Sequence, residues 1–264
     1  DKTFADIHHI NVLGGYSYMD NVAEGFGATR SGFDTNAFIY NNLGAGTDYR
    51  QGDVYSYKNS CKLISFYGRV NYGLMDKYMI TATLRRDGSS RFGADHKWGT
   101  FPSVSVAWRI INEKFMEGTH SWLDNLKLRV GYGITGNQNG VDPYKSLSVL
   151  SSAGASYYDA ATGTWKNSYV QAQNANPDLK WESTAQFNVG IDFGFLNRIN
   201  GSLEFYHKKT SDLLWTYPVP QPPYLVGTML ANVGDMVNKG VELTLGANIV
   251  RTKDFSLSAN ASLA

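Results

Sequence analysis

The chain has 264 residues, with 24 Lys and Arg against 23 Asp and Glu, a formal net charge of +1. That balance excludes a strongly basic nucleic-acid binder, and 14 % aromatic residues exclude a disordered chain. A single cysteine, Cys61, excludes an internal disulfide framework and a Cys-rich zinc site.

Alternation of apolar and polar residues, the signature of a strand with one greasy and one wet face, runs through the chain. A weak strand is expected over residues 6–18. In 63–74, Ile64, Phe66, Val70 and Tyr72 oppose Ser65, Arg69 and Asn71. In 78–87, Tyr78, Ile80, Ala82 and Leu84 oppose Thr81, Thr83, Arg85 and Asp87; in 101–110, Val104, Val106 and Trp108 oppose Ser103, Ser105 and Arg109. The pattern is cleanest at 126–135, where Leu126, Leu128, Val130, Tyr132 and Ile134 are apolar and every residue between them is small or polar. It returns at 182–195, 199–208, 240–249 and 255–263. Eight of these nine segments are strong, and none of the eight has helical periodicity. No apolar stretch approaches the ~18 residues of a membrane helix. The fold class is all-β.

The connections add a second signal. Those at 19–61, 87–100, 136–181 and 209–239 are long; 74–77, 195–198 and 250–254 are short, and 111–125 is intermediate. The short ones hold Asp76-Lys77, Asn197-Arg198 and Lys253-Asp254, which suit tight antiparallel turns. Long loops at one end and short turns at the other are expected of an antiparallel transmembrane β-barrel with extracellular loops and periplasmic turns. Tyr72, Tyr78, Trp108, Phe193 and Phe255 gather near the short turns as one interfacial girdle. Nine strands leave open edges, which hydrocarbon does not tolerate, so a segment of a larger barrel is expected. The same residues allow an alternative: a soluble or surface β-sandwich acting as a binding or adhesion module that displays aromatic loops.

The expected lumen face carries Arg69, Arg85, Arg109, Lys127, Arg129, Glu182, Asp192, Glu204, Lys208 and Glu242. Interspersed signs fit a wall meeting a plug or a polar neutral solute rather than a single-sign ion filter. Arg85 and Asp87 are candidates for substrate contact or for a structural bridge along the wall. Arg86 falls on the lipid face near the outer rim, where it is expected to snorkel. Tyr157, Tyr158, Trp165 and Tyr169 stand among Asn, Gln, Ser and Thr in loop 136–181. They are candidates for stacking on sugar faces, or for packing against other loops or a partner. Trp215, Tyr217, Pro222 and Tyr224 lie in loop 209–239, whose Pro spacing predicts a stiff extended segment and a partner contact. Gly131-Tyr-Gly-Ile-Thr-Gly136 has the dinucleotide fingerprint spacing, but its strand alternates and turn residues follow it, so lumen-lining small residues are the better reading. No nucleophile, histidine and carboxylate are grouped, and His8 and His9 point to opposite faces. No catalytic residue, metal ligand or cofactor is expected.

Several stretches carry a resemblance. Tyr78-Met-Ile-Thr-Ala-Thr-Leu-Arg-Arg-Asp-Gly-Ser-Ser-Arg-Phe-Gly93, Trp98-Gly-Thr-Phe-Pro-Ser103, and Leu126-Lys-Leu-Arg129 leading to Thr135-Gly-Asn-Gln138 are similar to the SusC/RagA-type TonB-dependent outer-membrane transporters. So are Asn176-Pro-Asp-Leu-Lys-Trp-Glu182, Lys209-Thr-Ser-Asp-Leu-Leu214 and Asn232-Val-Gly-Asp-Met-Val-Asn-Lys-Gly-Val-Glu242. The resemblance covers about residues 60–264. It implies that residues 1–264 are part of a 22-stranded barrel domain, with the plug domain and the carboxyl-terminal strands outside this chain. It further implies the outer membrane of a Gram-negative bacterium, and TonB-energised import of a polar oligomer, oligosaccharide ahead of peptide. A SusD-like surface lipoprotein and TonB would be partners, and nucleic acid would not.

Overall fold

The structure, a computed structural model, describes residues 1–5 and 7–264 and leaves the Arg251 side chain out. Asp6, the first residue of the expected weak strand, lies outside the described residues. The strands are β1 (Lys2–Phe4), β2 (His8–Ala28), β3 (Val54–Leu74), β4 (Tyr78–Ser89), β5 (Trp98–Arg109), β6 (Leu123–Asn137), β7 (Val149–Asp159), β8 (Thr164–Gln173), β9 (Glu182–Phe195), β10 (Ile199–Ser211), β11 (Leu214–Pro218), β12 (Thr228–Asn232), β13 (Met236–Arg251) and β14 (Ser256–Leu263). Ten of them form one antiparallel sheet in the order β1-β2-β3-β4-β5-β6-β9-β10-β13-β14. The nine expected strands are its nine long members.

Register carries one face across the whole sheet. Val70 pairs with Ala82, Ala82 with Val104, Val104 with Tyr132, Tyr132 with Phe187, and Phe187 with His207. Two residues nearer the turns, the row runs Ile80, Val106, Val130, Val189, Phe205 and Val241. These apolar side chains lie in the open: Val12, Val70, Ile80, Leu84, Val106, Val130, Ile191 and Leu203 are all exposed. The sandwich alternative required a second sheet over this face, and none covers it among the described residues. The face is built for hydrocarbon.

Four details correct the sequence reading. First, β2 and β3 pair from His8↔Leu74 to Ala28↔Val54, so the expected loop 19–61 shrinks to residues 29–53. At about 3.3 Å per residue, 21 residues reach roughly 70 Å, while a bilayer takes about 9–11. The outer half of this hairpin therefore projects beyond the membrane. Second, loops 136–181 and 209–239 are not structureless: each folds a hairpin, β7–β8 and β11–β12. Third, the Pro-rich segment is not an extended rod. Val219 donates to the Gly227 carbonyl at 2.9 Å and Tyr224 to that of Pro220 at 3.3 Å, so the prolines reverse the chain between β11 and β12. Fourth, a second group of outward aromatics, Tyr16, Phe66 and Trp98, lies toward the loop ends, with ring centroids 5.2 and 6.3 Å apart. Opposite it, at the turn ends, Tyr78 stacks on Trp108 and Trp122 on Phe195. Two belts bracket the apolar band, as interfacial rings do.

Two of the three tight turns use left-handed residues one place earlier than the sequence implies, while the third closes Thr252 on Phe255 around Lys253-Asp254 as expected. Met75 and Asp76, and Leu196 and Asn197, all have φ between 52° and 54°. Lys77 and Arg198 then donate to the carbonyls of Leu74 and Phe195 at 3.0 Å, which defines the mirror-image turn that matches strand twist.

Candidate functional site

The wet face of β4–β10 is a shallow recess of about 520 Å³. Gly131 and Gly133 on β6 lie opposite Ser105 and Ser103 on β5, so short side chains make its floor. Thr81, Gln186 and Asn188 contribute neutral polar groups. The glycines of the dinucleotide-like spacing are thus wall residues within β6.

A charged bridge crosses three strands at one margin. Arg129 on β6 is in register with Gly190 on β9, and Gly190 with Glu204 on β10. A β-carbon on Gly190 would stand 3.0 Å from the Arg129 guanidinium, so the glycine gives the side chain a path across β9. Arg129 donates Nε and Nη2 to the two oxygens of Asp192, both at 2.9 Å, and Nη2 lies 3.5 Å from Glu204. Lys127 approaches Asp192 at 3.9 Å, and Asn188 donates to Glu204 at 2.8 Å. Bidentate pairing fixes orientation as well as charge.

Arg85 and Asp87 meet along β4. Arg85 Nε donates to Asp87 Oδ2 at 2.7 Å and Nη2 to Ser65 Oγ at 2.9 Å, with the guanidinium 5.8 Å from the Tyr67 ring centre. Asp87 is 7 % exposed, and its Oδ1 is buried without a partner among the described residues. The arrangement is that of a structural bridge with one acceptor unused. Arg86 points to the other side, its guanidinium 5.5 Å from the Trp98 ring centre.

At the loop end, a small apolar core plugs the gap between loops. Phe92, Phe101, Val141, Leu179 and Trp181 are at most 8 % exposed, with Leu63, Ile134, Leu214 and Leu230 packed around them. Phe92 and Trp181 have centroids 4.8 Å apart. Gly93 donates to the Leu179 carbonyl at 2.9 Å, and Trp181 Nε1 to that of Lys97 at 3.0 Å. Asn176 holds the Leu230 carbonyl at 2.8 Å, and Asn232 holds those of Lys180 and Asp212 at 2.8 and 2.9 Å. The stretches that carry the family resemblance therefore converge in space and tie the β4–β5, β6–β9 and β10–β13 connections together. Isolated apolar residues in polar loops have no periodic signal, so this core is not visible in the sequence.

The four loop aromatics divide. Tyr158 pairs with Trp165 across the β7–β8 hairpin, centroids 5.5 Å apart, and alternation places Tyr169 on the same face as Trp165. Tyr157, opposite Lys166, is on the other face. All four are exposed. In β11, Trp215 is exposed and Tyr217 half-buried; beyond it, Pro222 is exposed and Tyr224 half-buried. Two further rings have no counterpart in the sequence reading. Tyr55 and Tyr57 continue the wet face up the β2–β3 hairpin, their ring atoms over Gly27 and Gly25 and their side chains exposed.

At the opposite end, Glu113 gathers Tyr78 Oη at 2.7 Å, Lys77 Nζ at 3.0 Å and Trp108 Nε1 at 3.1 Å. These donors, Tyr78 foremost, hold its carboxyl at about 2, against an ordinary 4.5. Among the described residues no three His, Cys, Asp or Glu are placed to hold a metal ion.

An open sheet with one apolar and one wet face, two aromatic belts, tight turns at one end and tied loops at the other is a sector of the wall of an outer-membrane β-barrel. The TonB dependent receptor-like β-barrel family matches residues 3–264, and the chain belongs to that family. It is 42 % identical over 210 residues to the TonB-dependent receptor SusC of Bacteroides thetaiotaomicron, covering 78 % of this chain and 20 % of that protein. It is 38 % identical over 260 residues to the TonB-dependent receptor P3 of Formosa agariphila, covering 98 % and 25 %. The structure of the RagAB peptide transporter superposes with a TM-score of 0.83 at 29 % identity, over 99 % of this chain and 28 % of that one. The chain spans about a quarter of the length of these relatives.

Proposed function

We propose that these residues form part of the barrel of a TonB-energised importer that takes a polar oligomer across the outer membrane, with a SusD-like surface lipoprotein over the loops. Residues 1–264 belong to the barrel domain, and the plug and remaining strands belong to the rest of the protein. Oligosaccharide is favoured over peptide. The observation that carries this reading is the chemistry of the wet surface. Thr81, Ser103, Ser105, Gln186 and Asn188 line the recess, its charged residues Lys127, Arg129 and Glu204 are engaged in pairs along the wall, and Tyr158, Trp165 and Tyr169 stand exposed on one face of the β7–β8 hairpin. Flat aromatic faces and neutral amides suit sugar C–H faces and hydroxyls. Arg85 and Asp87 line the route, and Trp215, Tyr217, Pro222 and Tyr224 serve the lipoprotein contact. Peptide is the second reading, which the likeness to the RagAB peptide transporter favours.

The test uses the full-length protein with its lipoprotein, titrated with neutral oligosaccharides and with peptides of matched length. Ala at Trp165 and Tyr158 is expected to weaken oligosaccharide binding tenfold or more. Peptide binding in place of oligosaccharide would overturn the substrate assignment.

A further inference from the structure

The apolar outward face ends at the loop side in charged residues, and their pairing is uneven. In β2 and β3 the first ones are Asp20 and Lys62, which pair with each other at 3.4 Å. Lys209 of β10 pairs with Asp235 at 3.1 Å. Three donors at the same rim have no carboxylate among the described residues: Arg86 on β4, His207 on β10 and Lys239 on β13. Arg86 and His207 each stand nine residues past turns that end at Lys77 and Arg198, so they reach the same height on the wall. Lys62 stands twelve residues before its turn, which opens at Leu74, and Lys239 thirteen before its own, which opens at Thr252.

His207 and Lys239 are direct cross-strand partners. Both are exposed, and both present N–H donors outward. Cross-strand neighbours on one face stand about 4.5–5.5 Å apart at Cβ, and the usual tenant opposite a lysine is an acceptor or an opposite charge. The residues around the pair on that face are Phe187, Phe205, Val237, Val241 and Lys209. The outward carboxylate nearby, Asp235, is already engaged by Lys209. Donors without acceptors, set where the apolar band meets the headgroup layer, complement an anionic headgroup.

We propose that His207 and Lys239 together bind a phosphate of an outer-leaflet lipid, and that Arg86, braced on Trp98, holds a second one further round the wall. The lipid is a phosphorylated glycolipid of the lipid A type. Its acyl chains would lie along Phe187, Phe205 and Val241, and its phosphate would accept from the imidazole and the ammonium.

The test uses the full-length transporter in phosphatidylcholine nanodiscs, doped with bisphosphorylated or dephosphorylated lipid A, with bound lipid read by native mass spectrometry. Wild type is expected to retain the phosphorylated form at least tenfold over the dephosphorylated one. The His207→Gln/Lys239→Gln double variant is expected to lose that preference, and Lys239→Arg to keep it. Lys62→Gln, at the same rim but already paired, is expected to stay within twofold of wild type. Unfolded double variant is recognised by lost heat-modifiable mobility; Lys239→Glu alone then supplies the comparison. Equal retention of both lipids by wild type, or unchanged preference in the double variant, would overturn the proposal. Displacement of the lipid by inorganic phosphate at equal concentration would overturn the assignment to a lipid.

Discussion

Arg129 crosses a neighbouring strand at Gly190 to hold Asp192 with two hydrogen bonds of 2.9 Å, and the same guanidinium reaches Glu204 on the strand beyond. One side chain thus links β6, β9 and β10 on the lumen side. Lys keeps the charge but not the fork. Arg129→Lys is expected to cost about 1–2 kcal/mol in denaturant unfolding of the detergent-solubilised full-length protein, the scale of a charged hydrogen bond lost. Gly190→Ala is expected to cost a similar amount by pushing the guanidinium aside, and the two changes together should cost less than their sum.

The loop core predicts a local effect. Leu179 is fully buried, and Leu179→Ala should cost about 2–5 kcal/mol, the range for core truncation. Gly93 cannot take a β-carbon without colliding with the Pro177 carbonyl, so Gly93→Ala should act on the same unit. Hydrogen exchange is the measurement. Amides in 89–98, 136–181 and 212–232 are expected to exchange faster in both variants, while β4–β6 and β9–β10 stay protected.

Glu113 predicts an acid transition at the turn end. Its carboxyl is held at about 2 when folded, below its ordinary 4.5, so the charged form is the one its donors favour. Stabilisation is therefore present above about 4.5 and is lost as pH falls toward about 2. Exchange of amides 110–122 should rise across that window, and Glu113→Gln should exchange fast at every pH.

The two faces should also answer differently to a charge. Val130→Arg, outward in mid-band, is expected to cost about 2–4 kcal/mol in a bilayer refolding assay. Ser105→Arg, on the wet face beside it in register with Gly131, is expected to fold with less than about 1 kcal/mol lost, since its guanidinium stays in water.

What the sequence disclosed follows from this two-sidedness. Where hydrocarbon covers one face and water the other, as from Leu126 to Ile134, alternation is strong and strand, face and register are readable. Above the membrane both faces meet water. Residues 19–28 and 54–60 extend β2 and β3 without that contrast, and β7–β8 is exposed on most of its residues, so none of them stands out as a strand. Phe92, Val141, Leu179 and Trp181 are scattered over ninety positions and meet only through tertiary packing, which no local period encodes. The Arg85–Asp87 bridge was legible because residues two apart on a strand share a face. The Arg129 bridge was not, since it needs the register of three strands. That Trp165 and Tyr169 share a face and Tyr157 lies on the other follows from the β7–β8 register, which the loop reading of 136–181 did not contain.

The central claim is that alternate residues of these strands touch lipid and water. Single cysteines at positions 79–84 and 128–133, introduced one at a time into full-length protein reconstituted in vesicles, test it most directly. Cys61, the lone cysteine of these 264 residues, is buried and gives little background. A fluorophore at 80, 82, 84, 128, 130 and 132 should be quenched by bilayer-embedded spin-labelled lipid, and one at 79, 81, 83, 129, 131 and 133 by a water-soluble quencher. Quenching that follows the opposite alternation, or no alternation, would contradict it.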